Sequence, residues 1–203
     1  MSTDVAGVLL AGGQSRRMGG GDKCLRRIGD TTILARVIER VRDQVGCLIL
    51  SANGDPERFS EFGLPVVSDV VPGFVGPLAG VLSGMDWVAE HASDCRWLAS
   101  IPTDAPFLPL DLVARLRESL SEEDAELACA VSAGRTHPVV ALWPVAMRAD
   151  LRQALVVDDV RKIDVFTARY RLAEATFTAD PVDPFFNTNR PDDLTEAERL
   201  IAG

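Results

Sequence analysis

The chain has 203 residues, 47% hydrophobic and 25% charged, which are proportions of a folded protein with room for a substantial core. A formal net charge of -9 argues against the basic face that nucleic-acid binders carry, so no nucleic-acid partner is expected. Four scattered cysteines without a C-x-x-C pair favour reduced thiols over a metal or disulfide framework, and no apolar run approaches the roughly 20 residues that span a bilayer. A cytoplasmic protein with no membrane partner is therefore expected.

Val5–Leu10 is a short continuous apolar run, the pattern of a strand buried on both faces. It ends in a glycine-rich loop reading A-G-G-Q-S-R-R-M-G-G-G-D-K from Ala11 to Lys23. Thr31 or Thr32 can cap a helix in which Ile33, Val37, Ile38 and Val41 recur at helical spacing. Leu48–Leu50 reads as a second strand, Glu57–Phe62 as a short helix and Val66–Val67 as a third strand. A loop over Ser68–Pro77 leads to a helix over Leu78–His91.

Trp97–Ile101 is the next strand and stops at Pro102-Thr103-Asp104-Ala105-Pro106, ahead of a helix over Leu110–Leu120. Leu127–Val131 and Val139–Trp143 flank a turn-rich Ser132–Pro138, which suggests an antiparallel excursion. Helices over Val145–Leu155 and Val160–Ala168, a strand near Thr176, a proline-rich loop over Asp180–Asn189 and a helix over Pro191–Ile201 complete the chain. The alternation predicts an α/β fold with a mostly parallel sheet between two helical layers. No repeat or linker interrupts it, so residues 1–203 are expected to form one domain. Ligands of such sheets sit beyond the carboxyl ends of the strands, where Leu10, Ala11, Ser51, Asp69 and Pro102–Asp104 would converge.

An apolar strand, a flexible loop and fixed cations bring N–H groups and positive charge around phosphates. Arg16, Arg17 and Lys23 form a basic cluster in an otherwise acidic protein. The Walker spacing is absent, because Lys23 stands between Asp22 and Cys24, and no G-x-G-x-x-G occurs. A loop with its own arginines suits a reaction in which charge develops on departing pyrophosphate.

The segment Leu10–Lys23, together with G-P-L-A-G in Pro72–Gly80, P-T-D-A-P-F-L-P at Pro102–Pro109 and F-F-N-T-N-R-P-D-D-L at Phe185–Leu194, resembles the molybdenum cofactor guanylyltransferases. The resemblance spans almost the whole chain in the right order. It implies a three-layer fold like that of the nucleotide-diphospho-sugar transferases. It also implies transfer of GMP from Mg-GTP to molybdopterin with release of pyrophosphate, and transient contact with molybdoenzymes or their chaperones. Cytidylyl transfer to the same pterin, transfer to a sugar 1-phosphate and a non-catalytic nucleotide-binding adaptor are the competing readings.

Within that frame Arg17 and Lys23 are expected to stabilise the triphosphate and the leaving group, and the Leu10, Ala11, Gly12 and Gly13 backbone to contact the nucleotide. Asp104, held between two prolines, suits magnesium, which commonly takes only one or two protein carboxylates. Asp69 could accept guanine N1–H and the 2-amino group together, or simply be a solvated loop acid. Ser51 stands where the family commonly has an asparagine that contacts the nucleotide, and Asn53 is a near alternative. Asn187 and Asn189 alternate on one face of an extended segment and are expected, with His137, on the pterin side; Asn189 could equally cap the last helix. Gly80 and Gly84 suit tight helix packing. With two histidines and scattered cysteines, covalent catalysis has no obvious base.

Overall fold

A computed structural model of the chain describes residues 2–12, 22–71 and 76–202. The expected contacts at Gly13 and Arg17 lie outside the described residues, as do Arg16 and Gly73.

In chain order the elements are β1 (Ser2–Leu10), β2 (Arg27–Ile28), β3 (Thr31–Thr32), α1 (Ile33–Val41), β4 (Val45–Ser51) and β5 (Val66–Val67), then α2 (Pro77–His91), β6 (Trp97–Pro102) and α3 (Leu112–Glu122). They continue with β7 (Leu127–Ser132), β8 (Arg135–Pro144), α4 (Arg148–Val156), α5 (Ile163–Thr167), β9 (Leu172–Phe177) and α6 (Pro191–Ala202). Seven strands form one sheet in the order β5-β4-β1-β6-β8-β7-β9, and β2 and β3 form a separate hairpin. Only β8 runs against its neighbours; β6 and β7 both pair with it antiparallel, while β1, β4, β5, β7 and β9 pair in parallel.

Both faces of the sheet are covered, as its near-continuous apolar strands require. One core packs α1, α3 and Ala197 of α6 against one face; the other packs α2, α4 and α5 against the opposite face. The mostly parallel α/β class expected from the alternation, and the three-layer arrangement that the resemblance implies, are both observed. Among the described residues no helix is long and apolar enough to cross a membrane. Cys24, Cys95 and Cys129 are buried, Cys47 is half-buried, and all four are free thiols.

Several local differences from the sequence reading have physical causes. β1 begins before its apolar run, with Ser2 paired to Val45 and with Asp4 held by the two terminal nitrogens of Arg117 at 2.7 and 2.8 Å. Of the two threonines expected to cap α1, Thr32 does so, as the sequence allowed, its hydroxyl accepting from Ala35 N. Pro56–Phe62 is a 3-10 helix, started by Asp55 and stopped by Gly63 in the left-handed region. The turn-rich stretch after β7 shrinks to Ala133-Gly134, both at positive φ as a tight hairpin turn demands, so Thr136, His137 and Pro138 belong to β8. The register between β7 and β8 shifts just past His137, where Pro138 can donate no ladder hydrogen bond.

Glycine governs how α2 meets the sheet. A Cβ on Gly80 would stand 2.7 Å from Leu10 Cδ2 and 2.8 Å from Ser51 Oγ, and one on Gly84 would stand 3.1 Å from both Val8 and Leu98. The helix therefore presses directly on the carboxyl ends of β1 and β4.

Candidate active site

The carboxyl ends of the parallel strands and the amino end of β8 share one edge of the sheet. Leu10 and Ser51 close their strands side by side, with Ala11 N donating to Ser51 O at 2.9 Å and Thr103 Oγ1 donating to Leu10 O at 3.1 Å. Ala11 has therefore already committed its N–H. Gly12 is exposed, with nothing within 4 Å of a Cβ built upon it. Ser51 is buried beneath Gly80, while Asn53 is exposed and touches Asp69.

At one end of this edge three side chains converge. Lys23 Nζ lies 2.7 Å from Asp104 Oδ2 and 2.6 Å from Asn189 Oδ1. Lys23 opens a short 3-10 turn after the glycine-rich loop, Asp104 follows β6, and Asn189 arrives from the segment before α6. Two hard oxygen donors from distant segments thus meet around one ammonium.

Thr188 fixes this meeting point. It is fully buried, and both its N–H and its hydroxyl donate to the Asp104 carbonyl, at 3.0 and 3.1 Å. Asn187 and Asn189 are exposed on either side of it, but Asn189 N also donates to Asn187 O at 3.1 Å. The segment is therefore a tight turn and not the extended run expected. Nor does Asn189 cap α6: Asp193 reaches back to Arg190 N at 2.7 Å in that role.

The opposite end is built from Asn53 and Asp69. Asn53 Nδ2 donates to Asp69 Oδ2 at 2.7 Å, and Asp69 N donates to Asn53 Oδ1 at 2.9 Å. Asp69 follows β5 and Asp104 follows β6, so three strand spacings, on the order of 14 Å, separate the two ends. That span accommodates a nucleotide lying across the strand ends.

His137 lies on the far side of β6, near the start of β8. Its Nε2 is 2.8 Å from Ser132 Oγ, whose hydroxyl donates to Asp183 Oδ1 at 2.8 Å, and its ring packs 4.7 Å from that of Phe185. Serine has one proton and gives it to the carboxylate, so His137 donates from Nε2–H. A serine, a histidine and an aspartate meet here, but with proton directions opposite to those of a nucleophile and its base. Burial pulls the His137 pKa down, with Asp183 opposing that and Arg135 adding to it. The neutral ring serves to brace the chain between β9 and α6.

The structure thus brings together Lys23, Asp104 and Asn189, and separately Asn53 and Asp69. It places Ser51 under a helix and His137 within a brace. Sequence reasoning missed Thr188, although the alternation of the two asparagines around it was a signal for one inward residue. It also missed Arg58, whose ion-pair partner Asp22 lies far from it in sequence and carries no pattern.

A family model described as a MobA-like NTP transferase domain matches residues 7–172. The chain is 59% identical over 193 residues, 95% of its length and 90% of the relative's, to the molybdenum cofactor guanylyltransferase of Rhodopseudomonas palustris (strain HaA2). It is 57% identical over 201 residues to the enzyme of the same description from Bradyrhizobium sp. (strain ORS 278), covering 99% and 95% of the two chains. Its fold superposes with a TM-score of 0.74, at 18% identity, on molybdopterin-guanine dinucleotide biosynthesis protein A from Archaeoglobus fulgidus, over 97% of this chain and 98% of that one.

Proposed function

Because the chain belongs to the MobA-like NTP transferase family, we propose that it transfers GMP from Mg-GTP to the phosphate of molybdopterin, releasing pyrophosphate. Curated relatives described as molybdenum cofactor guanylyltransferases, at 59% and 57% identity across nearly the whole chain, support this reaction over the cytidylyl and sugar-phosphate alternatives. The observation that carries the reading is the convergence of Lys23, Asp104 and Asn189 on one point beside the strand ends.

An oxygen of the acceptor phosphate attacks the α-phosphorus in line, and the bond from that phosphorus to the bridging oxygen of the β-phosphate breaks. The electron pair leaves with pyrophosphate, so the protein must align two anions and offset charge as it develops. Lys23 is held at the site before any nucleotide arrives, by Asp104 and Asn189. Its ammonium is the described cation best placed to meet the phosphates, with Arg17 as a second one from the loop.

The donor set of Asp104 and Asn189, a carboxylate and an amide oxygen, fits magnesium, a hard cation that takes few protein ligands alongside substrate phosphates. Bound there, the metal would supply charge neutralisation at the triphosphate oxygens. Asn189 therefore belongs to the metal and phosphate end, and Asn187 is the asparagine left for the pterin. Asp69, with one oxygen steadied by Asn53, reads guanine N1–H and the 2-amino group. The Leu10–Gly13 backbone supports the nucleotide, and Ser51 serves as packing beneath α2. His137 bears on the pterin side through the segment it braces.

We also infer that residues 1–203 act as one catalytic unit, in the cytoplasm, where four unpaired thiols are stable. Delivery of the product implies transient contact with molybdoenzymes or their chaperones. The reaction is tested by incubating the protein with magnesium, molybdopterin and either GTP or CTP, following the nucleotide-linked pterin by mass and pyrophosphate by a coupled assay. GTP is expected to give the guanylyl product, and Asp104→Ala to reduce pyrophosphate release by at least about a hundredfold while keeping the fold. A cytidylyl product alone, or full turnover in Asp104→Ala, would overturn the assignment.

A further inference from the structure

Arg58 touches Asn53 at one end of the candidate site and, toward the other, Asp22, the residue before Lys23. Its Nε is 2.5 Å from Asp22 Oδ2, next to Lys23 and at the close of the glycine-rich loop. One terminal nitrogen donates to Asn53 O at 2.6 Å, and the other donates to Asp55 O. Asn53 in turn makes the two-way hydrogen bond with Asp69. The side chain is about three-quarters buried and its guanidinium carbon stands 4.5 Å from the centre of the Phe59 ring, which limits its freedom.

We propose that Arg58 and Asn53 form a strut that sets the base-reading carboxylate Asp69 at a fixed distance from the phosphate-binding Lys23. Both are positioning residues for GTP, and the proposal rests on the roles given above to Asp69 and Lys23. A planar fork suits the task, because it meets a carboxylate at one edge and backbone carbonyls at another without changing shape. An ammonium at position 58 is a single point and cannot span the same acceptors.

Two joints in one strut have a measurable signature. Cutting either joint releases the same constraint, so the losses should not add. The affinity for Mg-GTP, measured by titration calorimetry, is expected to fall about tenfold in Arg58→Ala, about tenfold in Asn53→Ala and about tenfold again, not a hundredfold, in the double variant. The loss in turnover is expected in KM for GTP and not in kcat. Arg58→Lys should stay impaired despite its charge, and added guanidinium ion should restore part of the affinity of Arg58→Ala. Inosine triphosphate, which lacks the 2-amino group, should be discriminated against less by Asn53→Ala than by wild type.

A hundredfold loss in the double variant, or wild-type GTP affinity in Arg58→Ala, would overturn the strut. Arg58→Gln takes the place of Arg58→Ala if the latter does not fold. Wild-type protein that binds Mg-GTP yet releases no pyrophosphate with molybdopterin would instead overturn the transferase reading and leave the strut standing. Failure of the wild type to bind Mg-GTP would remove both.

Discussion

Thr188 illustrates how much of this site depends on a residue with no chemistry of its own. Its N–H and hydroxyl both serve the Asp104 carbonyl, so it fixes the carboxylate through the backbone on one side and Asn189 through the chain on the other. Thr188→Val keeps the size and the backbone donor but leaves the hydroxyl's contribution unmade. A buried neutral hydrogen bond contributes about 1 kcal/mol, so the stability loss read from urea unfolding should be of that order. The larger effect is expected in activity, because the reference that Asp104 and Asn189 share would be held by one hydrogen bond instead of two. Pyrophosphate release should fall more than stability does, and Thr188→Ser, which keeps the hydroxyl, should recover most of it. Cys24, adjacent to Lys23, takes no part in this chemistry: burial pushes its thiol up to about 11 and keeps it protonated and inert.

At the scale of elements, α2 fits tightly against the strand ends near the site. Gly80→Ala would place a methyl group against Leu10 and Ser51, and overpacking of this kind costs about 1–3 kcal/mol. The shift should reach Leu10–Gly12, so KM for GTP should rise along with the loss in the urea midpoint; an unchanged midpoint would show that α2 has room to retreat. The strands and helices of the parallel half were legible because their apolar runs and helical spacing follow directly from burial on two faces. The carboxyl-end rule then brought Leu10, Ser51, Asp69 and Asp104 to one edge. The amino end of β8 was not legible, because a two-residue turn at Ala133-Gly134 lets polar Thr136 and His137 join a strand that composition alone assigns to a loop. The β2–β3 hairpin escaped notice for a similar reason, with only two residues in each arm. Arg58 was invisible in the sequence since its link to Asp22 is one that only the fold brings near.

Across the whole molecule, the segment from Thr178 to Arg190 runs from the end of β9 back to β6, over the ends of β7 and β8. It is tied at Asp183 to Ser132, at Phe185 to His137 and at Thr188 to Asp104. The histidine gives this strap a pH dependence. Its pKa in the fold lies below the ordinary 6.5, so in the window just below 6.5 the unfolded chain binds the proton more readily, and acidification there favours unfolding. The urea midpoint should fall between about pH 7.5 and pH 5.5, and His137→Gln, which keeps a donor toward Ser132, should flatten that slope. An unchanged slope would assign the effect to other groups. The family match ends at Leu172, ahead of this strap, although two members of the Lys23–Asp104–Asn189 meeting point lie within it. Synthesis therefore delivers the parts in a set order. A nascent chain on the ribosome carries Lys23 and Asp104 long before Asn189 emerges, and a domain built on one sheet folds as a unit. The Lys23–Asp104–Asn189 meeting point is thus closed by the strap, the last of its three segments to be made.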